Sequence, residues 1–465
     1  MRPSLNHRIV LFALIAFNLV VKLLWLGIND LAHDEPFTVY WSQRPLPEFK
    51  EMLFAENNPP LHFLITRWWS QLVPFEAAWL RVPSAMFSAL AVWPLYFIGR
   101  KLGGERAALI TALLFSLSNY HYGYAHEVRA YALFTLLACC GAWLVARRMG
   151  DVHVGWLPLL QLALVNAVMV YTHYFGWLMV GAQCLFIVLV PGLRAWRGAF
   201  AVGTMITALL FGPMLLVFLK RAGESLGQGT WLAYPVPEEL YNMVWKWSNA
   251  PVIAAASIIL IVAGISRRQR GDAGLRLAII WGLVPLIGLF MLSQFKPMFL
   301  DRYLVFSAPG FALLVALCIQ ESRLPQLATK LIGAALVIAM AVTFSPWKKG
   351  LYQPSRVAAQ VDAWCASDCH LEVVPPWYWL NLKAGQGIAE LRLDQSHLLG
   401  TRILVPDPVQ ARALGPYVLV DASGNDESAW VRDAVRLAYD TMQVAEPDHR
   451  LRVFLFNQRR ESVPN

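Results

Sequence analysis

The stretch Pro59-Pro-Leu-His-Phe-Leu-Ile-Thr-Arg-Trp-Trp-Ser-Gln-Leu-Val73 decides how the chain is threaded. It is apolar for most of its length, yet it has only 15 residues and carries His62 and Arg67. A helix that crosses hydrocarbon needs about 20 largely apolar residues. Counting this stretch as a crossing would move Arg100, Lys101 and Arg106 to the opposite side of the membrane and invert every later connection. Read instead as a helix lying in the interface, with Trp68 and Trp69 as anchors, it leaves the basic connections together on one side.

Composition makes a membrane the natural solvent. Of the 465 residues 57% are hydrophobic and only 15% charged, whereas a soluble domain carries about a quarter charged residues. The net charge of +9 does not point to nucleic acid, because the arginines sit in short clusters between apolar runs, as membrane topology requires. Such runs cover roughly 9–28, 82–99, 107–119, 130–146, 156–172, 174–190, 199–219, 251–265, 275–293, 303–319 and 328–345. About eleven transmembrane helices are expected. The first lacks a small-residue cleavage site after it and reads as a retained helix, in which Lys22 must snorkel or face protein.

Arg100, Lys101 and Arg106, then Arg147 and Arg148, Arg194 and Arg197, Arg267 to Arg276, and Arg323 with Lys330 occupy every second connection. Those connections face the cytoplasm and the others face outward. Lys220, Arg221, Lys296 and Arg302 lie outward against that trend. The outer loop 29–80 holds the 59–73 helix and a second amphipathic segment, Leu46 to Phe54. It is part of a membrane domain expected over 1–345. From 346 to 465 charge rises and apolar runs shorten, which predicts a small extracytoplasmic α/β domain with strands at Val373–Val374, Arg402–Val405, Tyr417–Val420 and Arg452–Phe456 and a helix from Asp426 to Ala438. Cys365 and Cys369 could bridge there if the backbone brings them together. The remaining cysteines fall in spans and read as packing residues.

Chemistry gathers at the outward ends of the spans. Asp34 and Glu35 follow the first span; Pro36 stops the preceding segment from continuing as a helix, and Phe37, Tyr40 and Trp41 are residues suited to the headgroup level. Sequence neighbours diverge, so the two acids make a poor facing pair for glycoside hydrolysis. One of them alone suffices as a base if the leaving group is a phosphate stabilised by cations; the plain alternative is an exposed acidic turn. Asn119-Tyr-His-Tyr-Gly-Tyr-Ala-His-Glu-Val-Arg-Ala-Tyr131 concentrates polar groups where they are costly. A helix from about Tyr124 would group Glu127 with Tyr124 and Tyr131. Glu127 and Arg129 either form a structural ion network or take part in binding. In Thr172-His-Tyr-Phe-Gly176, His173 is a packing residue or a candidate. Gln294 to Tyr303 supplies Lys296, Arg302 and Tyr303, and Arg81 opens the second span; both sets of cations suit a phosphate. Asn58 and His62 are further candidates. No metal-type Cys/His spacing, Walker loop or dinucleotide motif occurs. Asp34, Glu35 and Glu127 could collect a divalent cation, although nothing in their spacing requires one.

The order Asp34-Glu35, Asn57-Asn-Pro-Pro-Leu61, Arg81-Val-Pro-Ser84, His126-Glu-Val-Arg-Ala-Tyr131, Thr172-His-Tyr-Phe175, Asp301-Arg-Tyr303 resembles the membrane glycosyltransferases of the GT-C fold. The nearest branch is the protein O-mannosyltransferase and aminoarabinose lipid A transferase superfamily, in its bacterial dolichyl-phosphate-mannose-type members. The likeness covers about residues 1–345. It implies inverting transfer of a hexose or pentose from a polyprenyl-phosphate carrier to a hydroxyl of a glycolipid, polysaccharide or protein. It places the reaction on the outer face of the bacterial inner membrane, with Asp34 as base and Glu35 beside it. By the same likeness His126, Glu127, Arg129 and Tyr131 form the second-loop motif that meets the acceptor. A transporter or flippase of lipid-linked saccharide would instead want internal repeats and charges near the midplane, whereas here polar residues gather at span ends.

Overall fold

The computed structural model describes residues 5–55, 57–151, 155–228, 232–267, 272–321, 325–365, 369–388, 416–423, 429–436, 439–448 and 451–459. The chain divides into two compact units. One comprises Met1–Trp25, Leu46–Ile65 and Arg81–Pro346; the other comprises Leu26–Pro45, Thr66–Leu80 and Trp347–Asn465. The loop read from the sequence as one segment, 29–80, is therefore shared between them.

In the first unit every apolar run is helical: Leu5–Leu23, Ala77–Leu90 with Val92–Ser116, Tyr131–Arg147, Trp156–Thr172, Gly176–Leu189, Arg197–Gln228, Pro251–Arg267, Ala273–Gly282 with Val284–Ser293, Ala308–Glu321 and Gln326–Thr343. Among the described residues, four helical stretches are long and apolar enough to cross a membrane unaided, or five if the pair Glu238–Trp247 and Pro251–Ser266, bent by 99°, counts as one. That is fewer than the eleven runs, because a stretch such as Ala77–Ser116 contains two of them and others form apolar helices of 10–17 residues. The turn between 82–99 and 107–119 lies at Gly104, whose φ of 78° suits glycine. Past it the two helices meet so closely that a Cβ on Gly99 would fall 2.8 Å from the Ala108 Cα.

Burial sorts these helices. Ala308–Glu321 is the central one, with Leu313 to Leu317 essentially inaccessible. Gln326–Thr343 and Pro191–Glu224 have only 22% and 28% of their apolar windows buried, and they turn Val342 and Leu216 outward as lipid-facing helices do. Lys22 faces protein: it is fully buried, 5.4 Å from the centre of the Tyr122 ring. The two interfacial segments are the helices Leu46–Ala55 and Leu61–Ser70.

The second unit is built on a four-stranded sheet of β1 (His370–Val374), β2 (Tyr417–Asp421), β3 (Tyr439–Asp448) and β4 (Leu451–Arg459), ordered β1-β2-β4-β3. The β1–β2 pair is parallel and the others antiparallel. Side chains alternate along β2. Val418 and Val420 pack with Val357, Val361 and Leu382 from the helices Pro354–Trp364 and Tyr378–Gly385, while Tyr417 and Leu419 pack on the opposite face with Val435, Phe454 and Phe456. The expected strands at 373–374, 417–420 and 452–456 lie within β1, β2 and β4; Arg402–Val405 lies outside the described residues. Of the expected helix 426–438, Ala429–Arg436 is described and helical. The β3 strand was not expected, since Glu446-Pro447-Asp448 hides its alternation. Cys365 and Cys369 are joined in a disulfide, with Cα atoms 5.3 Å apart.

One helix of this unit also went unread. Pro36, expected only to stop a helix, sits in the first turn of Glu35–Gln43, where a missing N–H has no intrahelical partner to lose. Tyr40 and Trp41 on that helix are buried in protein and so do not serve as headgroup anchors; Trp68, 63% exposed, retains that character.

Close helix contact generates a stability test. A Cβ on Gly282 would lie 2.7 Å from the Phe311 backbone N and 2.8 Å from the Gly310 backbone, whereas one on Gly288 meets nothing within 4 Å. Gly282→Ala is therefore expected to cost about 1–3 kcal/mol through overpacking, lowering the melting temperature in detergent, while Gly288→Ala leaves it unchanged or slightly higher.

Candidate active site

The acidic loop belongs to the second unit. Backbone and side chain cooperate at the start of Glu35–Gln43: the Glu35 N–H donates to the Ala32 carbonyl at 3.1 Å, and the Ala32 N–H donates to Glu35 Oε2 at 3.2 Å. Glu35 is thereby turned back and buried, whereas its neighbour Asp34 is half-buried at the N-cap. Both carboxylates stand at the N-terminal end of the helix. The other end of the helix is closed by Arg67, whose guanidinium donates to the carbonyls of Ser42 (3.2 Å) and Arg44 (2.5 Å). Thus Arg67, read as an interfacial charge, is a C-cap. His33, just before Asp34, has φ 55°, a left-handed backbone that few side chains adopt without cost. Of the two acids, Asp34 is the less buried.

The cations belong to the first unit, where Arg129 is the hub. It approaches Asn58 Oδ1 at 3.5 Å and lies 5.7 Å from the centre of the Tyr131 ring. Its charge, added to burial, holds His62 down at about 3. Burial together with Arg129 and Arg302 does the same to His173. The His173 ring stacks on Phe134 at 5.0 Å and is flanked by Tyr131, Phe175 and Tyr303, with Tyr303 stacked on Phe175 at 4.4 Å. Its Nδ1 accepts the Phe175 N–H at 3.2 Å, which leaves the proton on Nε2. Asn58, His62, Arg129, Tyr131, His173, Arg302 and Tyr303, gathered from four separate stretches, thus form one aromatic cluster with neutral imidazoles and two guanidiniums. Such a surface suits a phosphate next to a ring-shaped ligand.

Other candidates are placed differently. The helix expected from Tyr124 does not form: Asn119–Ala125 ends there, residues 126–130 are non-helical, and a new helix starts at Tyr131. The break coincides with His126 turning its Nε2 to the Lys22 carbonyl at 2.9 Å. That imidazole therefore ties a loop to the first span. Its basicity falls to about 3, through burial first and the charges of Lys22 and Arg81. Glu127 stands near Tyr124, whose phenol is pushed up by burial and by the charges of Tyr120, Asp301 and Glu127. Arg81 is buried, and Lys296 is half-buried. Lys246, overlooked in the sequence because it lies on an unexpected amphipathic helix, pairs with Asp301 at 2.8 Å beside Arg302. Arg221, noted as an outward exception, donates to Asn57 Oδ1 at 3.1 Å and pairs with Glu224. Among the described residues no three His, Cys, Asp or Glu side chains stand together as a metal site.

Comparison with known proteins now bears on this geometry. Residues 57–217 match the family described as dolichyl-phosphate-mannose-protein mannosyltransferase. ArnT from Cupriavidus metallidurans in the apo state superposes with a TM-score of 0.64 at 15% identity, covering 97% of this chain and 98% of that one. The fold is that of the GT-C membrane glycosyltransferases. ArnT bound to undecaprenyl phosphate gives a TM-score of 0.61 at 14% identity over 97% and 98%. The GT-C oligosaccharyltransferase AglB from Archaeoglobus fulgidus, in complex with an inhibitory peptide and a dolichol-phosphate, gives 0.55 at 10% over 99% and 75%. The matched family and these structures are glycosyltransferases. Comparison with curated protein sequences finds no significant match. The chain thus has the polytopic α-helical GT-C fold with a small C-terminal strand region.

The three depressed imidazoles set a pH limit. His62, His126 and His173 stay neutral in the folded protein to about 3, whereas an unfolded histidine protonates near 6.5. Their contribution is intact above pH about 6.5 and is lost progressively as pH falls toward 3. Lowering pH from 7.5 to 5 is expected to reduce stability by about 2 kcal/mol per histidine, read as a falling melting temperature in detergent; His62→Gln flattens that dependence.

Proposed function

We propose that this protein transfers a sugar from a polyprenyl-phosphate carrier to an acceptor hydroxyl at the outer face of the bacterial inner membrane. The observation that carries this reading is Arg129 beside the neutral imidazoles of His62 and His173, with Arg302 beside the second and a set of aromatic rings around it. Guanidiniums bind the two-pronged oxygens of a phosphate. Neutral imidazoles and stacked rings add hydrogen-bonding and apolar surface without competing negative charge.

The chemistry is a single displacement. Asp34 takes the proton of the acceptor hydroxyl as its oxygen attacks the anomeric carbon, the bond from that carbon to the phosphate oxygen breaks, and the carrier phosphate departs as an anion. Attack opposite the leaving group inverts the anomeric centre. No acid is required for departure, because a phosphate held by Arg129 and Arg302 is already a stable anion. A lone base therefore suffices, in keeping with Glu35 being turned away into its backbone hydrogen bond. Lys296, Arg81 and Tyr303 are assigned to the donor phosphate, and Glu127 with Tyr131 to the acceptor. The acceptor class is a glycolipid, glycan or protein hydroxyl.

The test is mass spectrometry of envelope glycolipids and glycans from cells that lack the gene and are complemented with variants. Asp34→Asn is expected to reduce the missing product by about 100-fold or more, the range lost with a general base, while the protein stays in the membrane. Arg129→Lys, which keeps the charge but loses the planar fork, should reduce it by about 10-fold. Wild-type product with Asp34→Asn overturns the assignment.

A further inference from the structure

The second unit joins the acidic loop to the C-terminal region through a specific set of bonds. Asp30 Oδ2 accepts the Ser355 N–H at 2.8 Å, in the first turn of Pro354–Trp364, so a loop residue caps a helix of the C-terminal region. Asn29 Oδ1 accepts from the Gly350 N–H at 2.7 Å and from Gln353 Nε2 at 3.1 Å, and the Asp30 N–H points at Gln353 Oε1 at 3.4 Å. Gln353 is buried and is fixed from behind by Asp448, on β3, which accepts its backbone N–H at 2.5 Å. Asn381, 1% exposed on the helix Tyr378–Gly385, donates from Nδ2 to the His33 carbonyl at 3.2 Å. The His33 ring packs edge-on against Tyr352 at 4.3 Å. His33, the residue in the left-handed backbone region immediately before Asp34, is thus held by both its carbonyl and its ring.

We infer that the C-terminal region is a clamp that fixes the Asp34 loop in its working conformation, with Asn381, Gln353 and Asn29 as positioning residues. The inference deepens, and rests on, the reading of Asp34 as base. Rotation of the peptide after His33 would swing Asp34, and among the handles on that peptide plane are its own carbonyl and the Ala32–Glu35 bonds around the turn. Asn381 holds the first. A left-handed residue without such a hold is favoured to revert to extended backbone. The clamp also accounts for a buried asparagine in an otherwise apolar layer of Val357, Tyr378 and Leu382.

The test uses the full-length protein in detergent, followed by hydrogen–deuterium exchange, together with the complementation assay. Asn381→Ala is expected to speed exchange of the amides at 32–38 by about tenfold, the change that about 1.4 kcal/mol of lost restraint produces, while the β2 and β4 amides keep wild-type protection. Product should fall at least fivefold. Asn29→Ala, which cuts the same set of bonds from the loop side and leaves the sheet layer intact, should act alike, so a folding defect peculiar to Asn381→Ala cannot mimic the result. Unchanged exchange at 32–38 in both variants overturns the clamp. So does faster exchange with wild-type product in both, provided that Asp34→Asn abolishes product. If Asp34→Asn retains product, the base assignment fails by itself, and the exchange data still decide whether the C-terminal region holds the loop.

Discussion

Backbone groups at the ends of membrane helices must find partners inside the protein, and that constraint organises the first unit. The helices Val92–Ser116, Glu238–Trp247 and Gln326–Thr343 all end near one another, and two asparagines satisfy what they leave open. Asn249, held at φ 62°, donates to the carbonyls of Leu117 (2.8 Å) and Met340 (3.4 Å) and accepts the Asn119 N–H at 2.8 Å. Asn119 in turn donates to the Thr343 carbonyl and accepts the Ser345 N–H. Ser118 caps the helix that begins at Asn119. This pins residues 117–125, and with them the approach to Glu127 and Arg129. Tyr120 extends the same frame by donating to the Asp301 carbonyl at 2.5 Å, which sets the start of Asp301-Arg-Tyr303. The polar residues that seemed extravagant at membrane depth divide accordingly: several close helix ends, and a smaller number remain for chemistry.

The electrostatics of the cluster follow from the same shortage of water. A guanidinium keeps its charge under burial, whereas an imidazole gives up its proton. Placing Arg129 beside His62 and His173, and Arg302 beside His173, therefore yields fixed positive charge next to rings that are neutral at pH 7. Lysine in the same places would shift and soften that field. Such a surface offers fixed charge beside aromatic ring faces, which matches a phosphate carrying a sugar ring.

The arrangement of apolar runs, the helix within 59–73 and the sheet at the C-terminus were legible because hydrophobic length and period are local properties. The helix Glu35–Gln43 was not, since Pro36 was read as a stop when its position in the first turn makes it a start. Nor was the helix break at 126–130, which depends on His126 finding the carbonyl of Lys22, 104 positions earlier. Arg67 shows the limit most clearly. Its spacing marks a charge on an apolar helix, but its work as a cap on Ser42 and Arg44 depends on a chain reversal that no window of sequence contains. The residues most informative about the site, Asn58, His62, Arg129 and His173, stood out in the sequence as polar groups in costly surroundings; what was missing was that one guanidinium ties them together.

Asn381 belongs to the same class of residue, and its place in the fold explains why nothing local marks it. Buried asparagine is disfavoured unless its amide is satisfied, so its single bond to the His33 carbonyl is as much a condition of folding the helix Tyr378–Gly385 as of holding the loop. A bond of that kind contributes about 1 kcal/mol net when made and costs more when its partner is withdrawn. The asymmetry runs in both directions across the bond: a misfolded C-terminal layer releases His33, and a displaced His33 leaves Asn381 with an unmet donor in an apolar layer. The backbone before Asp34 and the C-terminal layer are thus coupled through Asn381, alongside the bonds of Asn29 and Asp30.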